Sequence, residues 1–186
     1  MAPTELQPEA LAQALAEHGD RFYALALRVT RRPDLAADAV QDAFLTALRR
    51  RGEFRGDAAV TTWLHRIVFN KSVDQLRARS REQPLPDEDG ADWSPEDEGL
   101  ANAPSWARPP DELLLGTETR VALEAALGEL TPVQRAAFEL REMEGRSTEE
   151  AAQILDVPPG TLRVHLHRAR LRLRALLAPR FRREQA

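Results

Sequence analysis

The chain has 186 residues, with 26 basic and 30 acidic side chains, a net charge of −4 and no cysteine. This length suits one or two small domains, and the lack of cysteine excludes disulfide bonds, thiolate metal sites and thiol catalysis. The sequence has no apolar run long enough to span a membrane and no basic N-terminal segment followed by an apolar one, so we expect a cytoplasmic protein without membrane insertion.

The charge is distributed unevenly along the chain. Residues 1–80 hold 12 basic and 10 acidic groups, residues 81–119 hold 2 and 11, and residues 120–186 hold 12 and 9. The acidity is therefore concentrated in the middle, and both flanking segments are mildly basic. Because the whole-chain charge averages over these segments, it does not exclude nucleic acid as a partner of the flanks.

The first 80 residues have helical periodicity throughout. Apolar spacing predicts one helix over Leu6–Ala16, a break at His18-Gly19-Asp20, and a second helix from Arg21 to about Thr30. Asp34 is expected to cap a long helix that ends near Arg50. A further helical pattern, with Trp63 and Leu64 in its apolar face, continues to about Arg79. Since no stretch alternates as a strand would, the sequence predicts an all-α bundle.

Residues 81–116 differ from both flanks. They are rich in proline and acidic residues and poor in aliphatic ones, so they cannot bury enough apolar surface to offset the entropy of ordering. We interpret them as an acidic flexible linker. Trp93 and Trp106 are unusual in such a segment, and two readings remain open: they dock onto a partner, or they are partly exposed.

Helical pattern returns after the linker and predicts four helices. Thr131 and Gln134 form one expected capping box, and Ser147 and Glu150 form another. Ser147–Leu155 is then a short helix, Asp156-Val-Pro-Pro-Gly160 a turn, and Thr161–Leu177 a basic helix. A short helix, a tight turn and a basic helix together indicate a helix-turn-helix.

The basic helix combines an apolar stripe with uncompensated positive charge. Eight arginines and no acidic residue lie between Val157 and Arg183. Ordinary surface helices interleave both signs of charge, so this composition favours a polyanion over the alternative of a solvated face. The expected buried stripe consists of Leu162, Leu166, Ala169, Leu173 and Leu176.

Several motifs in the first 80 residues resemble a known domain. Asp38-Ala-Val-Gln41-Asp42-Ala-Phe44, Phe54-Arg-Gly-Asp57 and Thr62-Trp-Leu-His-Arg-Ile67, followed by Asn70 and Asp74, resemble the promoter-melting region two of bacterial RNA polymerase sigma factors. The resemblance is to the extracytoplasmic-function (ECF) branch, which keeps only regions two and four.

The second flank resembles region four of the same branch. The matching segments are Leu130-Thr-Pro-Val-Gln-Arg135, Leu140-Arg-Glu-Met-Glu-Gly145 and Gly160-Thr-Leu-Arg163 with Arg168-Ala-Arg170. The similarity covers about residues 19–80 and 118–178. It implies region two over 1–80, a linker over 81–116 and region four over 117–186.

The resemblance assigns a role to each helical region. A helix face with Asp38, Gln41 and Asp42 would bind the coiled coil of the polymerase's largest subunit, the alternative being a solvated acidic face. The linker would pass through the polymerase cleft or act as a passive tether. The residues expected to open and bind the minus-10 element are Phe54, Arg55, Asp57, Thr61, Thr62, Trp63, Arg66, Asn70, Lys71 and Arg77.

Within that set, Asn70 can read a base edge because its amide both donates and accepts hydrogen bonds. Trp63 is favoured as a core residue over one that stacks on a base.

The residues expected at the minus-35 element are Thr161, Arg163, Val164, His165, His167, Arg168 and Arg170. Arg163 is the first candidate for a bidentate contact to guanine. The family commonly has serine and arginine at the positions of Val164 and His165, so the preferred upstream sequence stays open.

The implied partners are core RNA polymerase, promoter DNA and an anti-sigma factor. The resemblance implies no catalytic centre, and no residue pattern indicates a metal or a cofactor. A stand-alone helix-turn-helix regulator is the main alternative, but it leaves the segment from Trp63 to Asn70 without a role. A DNA recombinase is a third reading, but the sequence has no serine in a plausible catalytic setting.

Overall fold

The computed structural model describes residues 6–80 and 117–183, and every regular element in these two ranges is helical. This confirms the all-α class; the predicted linker, with Trp93 and Trp106, lies outside the described residues. The helices are α1 (Pro8–Thr30), α2 (Pro33–Arg49), α3 (Val60–Ser80), α4 (Thr117–Gly128), α5 (Pro132–Phe138), α6 (Thr148–Leu155) and α7 (Pro159–Arg183). A 3-10 turn, Arg51–Glu53, follows α2, and a π-helical turn, Glu139–Met143, follows α5.

The described residues form two compact units. In the first unit α1, α2 and α3 each pack against the other two. The buried face of α2 consists mainly of alanines, which allow neighbouring helices to approach closely. Larger side chains from α1 and α3 fill the centre, among them Phe22, Leu25, Leu64 and Val68, each fully buried.

The prediction of two separate helices before Thr30 is wrong, because α1 is continuous from Pro8 to Thr30. A glycine inside a helix costs about 1 kcal/mol relative to alanine. The buried residues Leu11, Ala14, Phe22 and Leu25 keep one helical face on both sides of Gly19. Burial of that face outweighs the local cost, so the helix continues through the expected break.

The start of α2 also differs from the prediction. Arg32, and not Asp34, is the N-cap residue, and Pro33 occupies the first helical position. An N–H at the first helical position has no helical carbonyl to bond to, so proline loses no hydrogen bond there by lacking this group. Asp34 instead pairs with Arg32, with 3.0 Å between Arg32 Nε and Asp34 Oδ1. The Arg32 guanidinium lowers the pKa of the Asp34 carboxyl.

The second unit is built on α4, α5 and α7. Helix α7 packs against both α4 and α5. Its predicted stripe forms part of this core, with Leu162, Leu166, Ala169 and Leu173 buried and Leu176 partly buried. The predicted capping box at Thr131 is confirmed, because Gln134 N donates to Thr131 Oγ1 and Thr131 N to Gln134 Oε1, both at 3.3 Å.

The second capping box is also confirmed, but the turn after α6 is shorter than predicted. Ser147 N donates to Glu150 Oε2 at 2.9 Å, and Glu150 N donates to Ser147 Oγ at 3.1 Å. Helix α7 begins at Pro159, so Gly160 lies inside it and not in the turn. The left-handed residue of the turn is Asp156, with φ of 58°. Aspartate tolerates this conformation better than most side chains, so the turn does not need a glycine.

Candidate nucleic-acid interface

The outer face of α2 carries the three residues predicted to bind polymerase. Asp38, Gln41 and Asp42 are all exposed, on the side of the helix away from its buried alanines. The Gln75 amide on α3 donates to Asp42 Oδ2 at 3.2 Å, which restrains that carboxylate. The spacing therefore brings the three side chains together on one accessible face.

Two leucines outside the predicted site extend this face. Leu45 and Leu48 are 43% and 39% exposed, although they are large apolar residues on a helix with a well-packed inner side. They follow Gln41 at helical spacing, which is the signal that could have found them. The outer face of α2 is thus polar at one end and apolar at the other.

Phe54 and Trp63 form an aromatic pair at the start of α3. Their ring centroids are 5.6 Å apart with an interplanar angle of 62°. Both side chains are partly buried and pack against the core of the first unit. Trp63 therefore supports the core and also presents part of its ring to the surface. In the connecting segment, Arg55 and Asp57 are exposed on either side of Gly56, whose φ is +74°.

The two threonines that precede Trp63 differ in accessibility. Thr61 is partly exposed, whereas Thr62 is only 3% exposed and offers little surface to a DNA strand. The carbonyl oxygen of Thr61 lies 2.7 Å from Nδ1 of His65. The His65 ring is fully buried, with its centroid 4.5 Å from that of Phe22. Through these two contacts His65 connects the first turn of α3 to the core.

Three predicted DNA-binding side chains share one exposed face of α3. Arg66, Asn70 and Arg77 are exposed and follow each other at spacings that fit one side of a helix, with Asp74 as the acid on the same side. Lys71 is partly buried at the edge of this face. The opposite face is buried, so the exposed residues are held on a rigid element.

The predicted minus-35 residues divide by accessibility along α7. Arg163 is exposed, and Thr161, His165 and Arg168 are partly exposed. Val164 and His167 are buried, at 9% and 8% exposure. The buried pair has little surface for a base edge, so the accessible predicted residues of the first two turns are Thr161, Arg163, His165 and Arg168.

Arg170 has a partner that sequence spacing did not suggest. Its guanidinium Nη2 donates to Glu142 Oε1 in the π-helical turn, and the two side chains are only 17% and 10% exposed. The spacing indicates only that Arg170 is partly buried, since it follows Leu166 by four residues and precedes Leu173 by three, at the border of the buried stripe.

The described ranges contain no group of three His, Cys, Asp or Glu side chains placed to hold a metal ion. Within the same ranges no helix is both long enough and apolar enough to cross a bilayer.

Comparison with known families matches both flanks of the chain. The sigma-70 region 2 family matches residues 15–82, and the sigma-70 region 4 family matches residues 120–173. Among curated relatives, the ECF RNA polymerase sigma factor SigM of Mycobacterium tuberculosis H37Rv is 36% identical over 168 residues, which are 90% of this chain and 77% of that protein. The RNA polymerase sigma-H factor of Pseudomonas aeruginosa is 34% identical, over 86% of this chain and 81% of the relative.

The ECF RNA polymerase sigma-E factor of Escherichia coli K12 is 38% identical over 133 residues, covering 72% of this chain and 69% of that protein. Solved structures agree with these relatives. The sigma factor RpoE of Bartonella quintana, in complex with the anti-sigma factor NepR, has a TM-score of 0.65 and 26% identity, covering 90% of this chain and 96% of its own. CnrH, in complex with the cytosolic domain of CnrY, has a TM-score of 0.62 and 25% identity, over 93% and 90%.

Proposed function

Since the chain belongs to the ECF sigma factors of bacterial RNA polymerase, we propose that it binds core polymerase, recognises minus-35 and minus-10 promoter elements and helps to open the minus-10 element. The observation that supports this most directly is the pairing of two different helical surfaces in one chain. One carries Arg66 and Asn70 beside an aromatic pair, and the other is a helix-turn-helix with a basic second helix. A stand-alone regulator would need only the second surface.

The outer face of α2 is the proposed polymerase-docking face. Asp38, Gln41 and Asp42 supply the polar part, and Leu45 and Leu48 supply apolar surface that association would remove from water. Apolar side chains buried at the centre of an interface contribute most of its binding energy, and polar groups fix its register. The exposed leucines turn a face that resembles any solvated acidic helix into one suited to a protein partner.

The exposed side of α3 is the proposed minus-10 surface. Extracting a base from the stack costs a few kcal/mol, which a protein offsets with contacts to the base and to the strand backbone. The Phe54–Trp63 pair supplies aromatic surface, Asn70 can read a base edge, and Arg66 and Arg77 can hold phosphates. Because α3 is buried on its other side, these groups are positioned before DNA arrives.

The first turns of α7 form the proposed minus-35 surface. A guanidinium can donate two hydrogen bonds to guanine in the major groove, and the exposure of Arg163 supports it as the residue that makes this contact. His165 and Arg168 border it, and Thr161 lies in the first turn, where free N–H groups suit a phosphate.

Sigma factors are non-enzymatic initiation factors, and we infer that this chain likewise has no catalytic centre and acts in the cytoplasm, where polymerase transcribes. Two of its structural neighbours are described in complex with an anti-sigma factor or with the cytosolic domain of a second protein. By analogy, an anti-sigma factor is the proposed regulator of this chain.

The test is reconstitution of the purified protein with core RNA polymerase. We expect the holoenzyme to enrich a two-element promoter from a randomised duplex pool and to initiate transcription from it. The Asn70→Ala holoenzyme should bind the closed duplex as the wild type does but show reduced strand opening, measured by permanganate reactivity of unpaired thymines. Tight duplex binding by the chain alone, with no gain from polymerase, would instead support the stand-alone regulator.

A further inference from the structure

Arg170 lies on the basic helix of the proposed minus-35 surface, yet its charged group is directed into the protein. Its guanidinium bonds Glu142 of the turn Glu139–Met143, which is 28 residues away in sequence. With 17% and 10% of the side chains exposed, water screens this pair much less than a surface pair. A charge held in such a contact is not available to neutralise a phosphate without breaking it.

The segment that holds Glu142 is itself constrained. The π-helical turn is followed by backbone bonds from Glu144 N to Glu139 O and from Arg146 N to Leu140 O, both 2.9 Å. A second ion pair, 3.0 Å between Arg146 Nε and Glu144 Oε2, is also largely buried. The backbone that carries Glu142 is therefore held in place, as a residue that positions another side chain requires.

We propose that Arg170 is a positioning residue, which fixes the orientation of the recognition helix α7 by its ion pair with Glu142 and does not contact promoter DNA. The positioning role of Arg170 rests on the proposed function, because its expected consequence is a change in promoter affinity. Arg170 lies about two helical turns after Arg163, and α7 acts as a rigid rod over that distance. Fixing the rod at Arg170 thus fixes the direction in which Arg163 presents its guanidinium.

A nearby arginine provides the matched control. Arg172 is two residues further along α7 and reaches Glu129 at only 4.0 Å, with both side chains more than half exposed. Exposed pairs of this kind contribute little to stability. The two arginines thus share a helix and a charge but differ in whether an internal carboxylate holds them.

The experiment measures binding of the holoenzyme to the promoter fragment that the wild type enriches from a random pool. We expect Arg170→Gln and Glu142→Gln each to weaken binding by about tenfold, and the charge-exchanged double variant, Glu142→Arg with Arg170→Glu, to recover most of the loss. The Arg172→Gln and Glu129→Gln variants should show no such coupling. Rescue by the exchanged pair is the decisive result, because a glutamate at position 170 facing DNA would be repelled by phosphate.

Three outcomes overturn the proposal. Loss of binding in Arg170→Gln but not in Glu142→Gln would show that Arg170 contacts DNA. Unchanged binding in both single variants would show that the pair does not position the helix. Loss in both without rescue would show that the coupling is not electrostatic.

A second measurement separates this proposal from the proposed function. Wild type, the two glutamine variants and the double variant Glu142→Gln with Arg170→Gln are unfolded in urea without polymerase or DNA, and this double-mutant cycle gives the coupling between positions 142 and 170 directly. If the wild-type holoenzyme enriches no promoter, the proposed function fails, whereas the unfolding cycle still reports whether the pair holds α7. An absent coupling in that cycle overturns the positioning role by itself.

Discussion

The two helical units place their charged side chains differently. In the first unit the core is apolar apart from a few polar groups, and ion pairs such as Arg50–Glu53 lie on the exposed surface. In the second unit charged groups enter the interior. Arg135 and Glu139 are buried, and two ion pairs, Glu142–Arg170 and Glu144–Arg146, are largely shielded from water.

Because of this difference, a charged residue in the sequence supports a different conclusion in each unit. On α2 and α3 an exposed charge can be assigned to a partner surface, since removing it leaves the core intact. On α7 arginine occurs in both settings, since Arg163 is exposed and Arg170 is paired inside the unit. Counting arginines on the basic helix therefore overestimates the number that are accessible to a partner.

The largest effect is expected from the apolar core of the first unit. Phe22 is fully buried between α2 and α3 residues, with ring contacts to Phe44 and His65. Phe22→Ala should lower the free energy of unfolding by about 4 kcal/mol, because it leaves a cavity as well as losing apolar burial. Urea unfolding followed by circular dichroism measures this. Tyr23→Ala, at the exposed neighbouring position, is the control and should change stability little.

The next largest effect should come from the buried charge of the second unit. Arg146→Ala removes one partner of a pair whose side chains are 13% and 7% exposed, so the buried Glu144 loses the positive charge that lies 3.0 Å from it. We expect about 3 kcal/mol of destabilisation. Arg50→Ala in the first unit, where the pair is exposed, should be nearly neutral in the same urea titration. Equal losses in both variants would contradict the comparison between the units.

Much of the fold could be predicted from local signals. Both capping boxes formed as expected, because they depend on residues three apart, and the apolar stripe of α7 follows directly from helical period. A local preference predicts a break at Gly19, and packing of the whole α1 face overrides it. The sequence predicts Gly160 in the turn and a helix from Thr161, whereas the turn uses a left-handed Asp156 and α7 begins at Pro159.

The candidate interface was less predictable, for a different physical reason. Exposure of Arg163 and Asn70 agrees with their helical positions, but burial of Thr62, Val164 and His167 depends on contacts that the sequence does not display. The Glu142–Arg170 pair depends on a π-helical turn that points a carboxylate at a helix 28 residues away. Long-range pairs of this kind have no local pattern, so resemblance to a family places such an arginine among the DNA contacts.

A smaller and more specific effect is expected at the proposed minus-35 surface. Arg163→Ala should cost about 2 kcal/mol of holoenzyme binding and relax the preference at a single upstream base pair. Arg174→Ala, also exposed but three turns further along α7, should weaken binding equally across upstream sequences or not at all. Binding of a set of single-base promoter variants separates these outcomes. A uniform loss in Arg163→Ala would place that side chain on the backbone.

The smallest effect concerns the cap that begins the helix-turn-helix. Ser147→Ala should destabilise the protein by about 1 kcal/mol, since an N–H at the start of α6 loses its acceptor. The Glu150 carboxylate accepts a hydrogen bond from the Ser147 backbone N–H, and this contact lowers the pKa of Glu150 below its ordinary range. Because the folded pKa is the lower one, the stabilisation is complete above the ordinary glutamate pKa and disappears as the pH falls through the folded value.

Glu150→Gln tests this pH dependence. Glutamine keeps an oxygen that can accept from Ser147 N but does not titrate, so its unfolding free energy should change less with pH across that acidic interval than the wild type's does. Glu149→Gln makes the same substitution on an exposed side chain one residue earlier and is the matched control. If the two variants show the same slope, the acid sensitivity of the protein arises elsewhere.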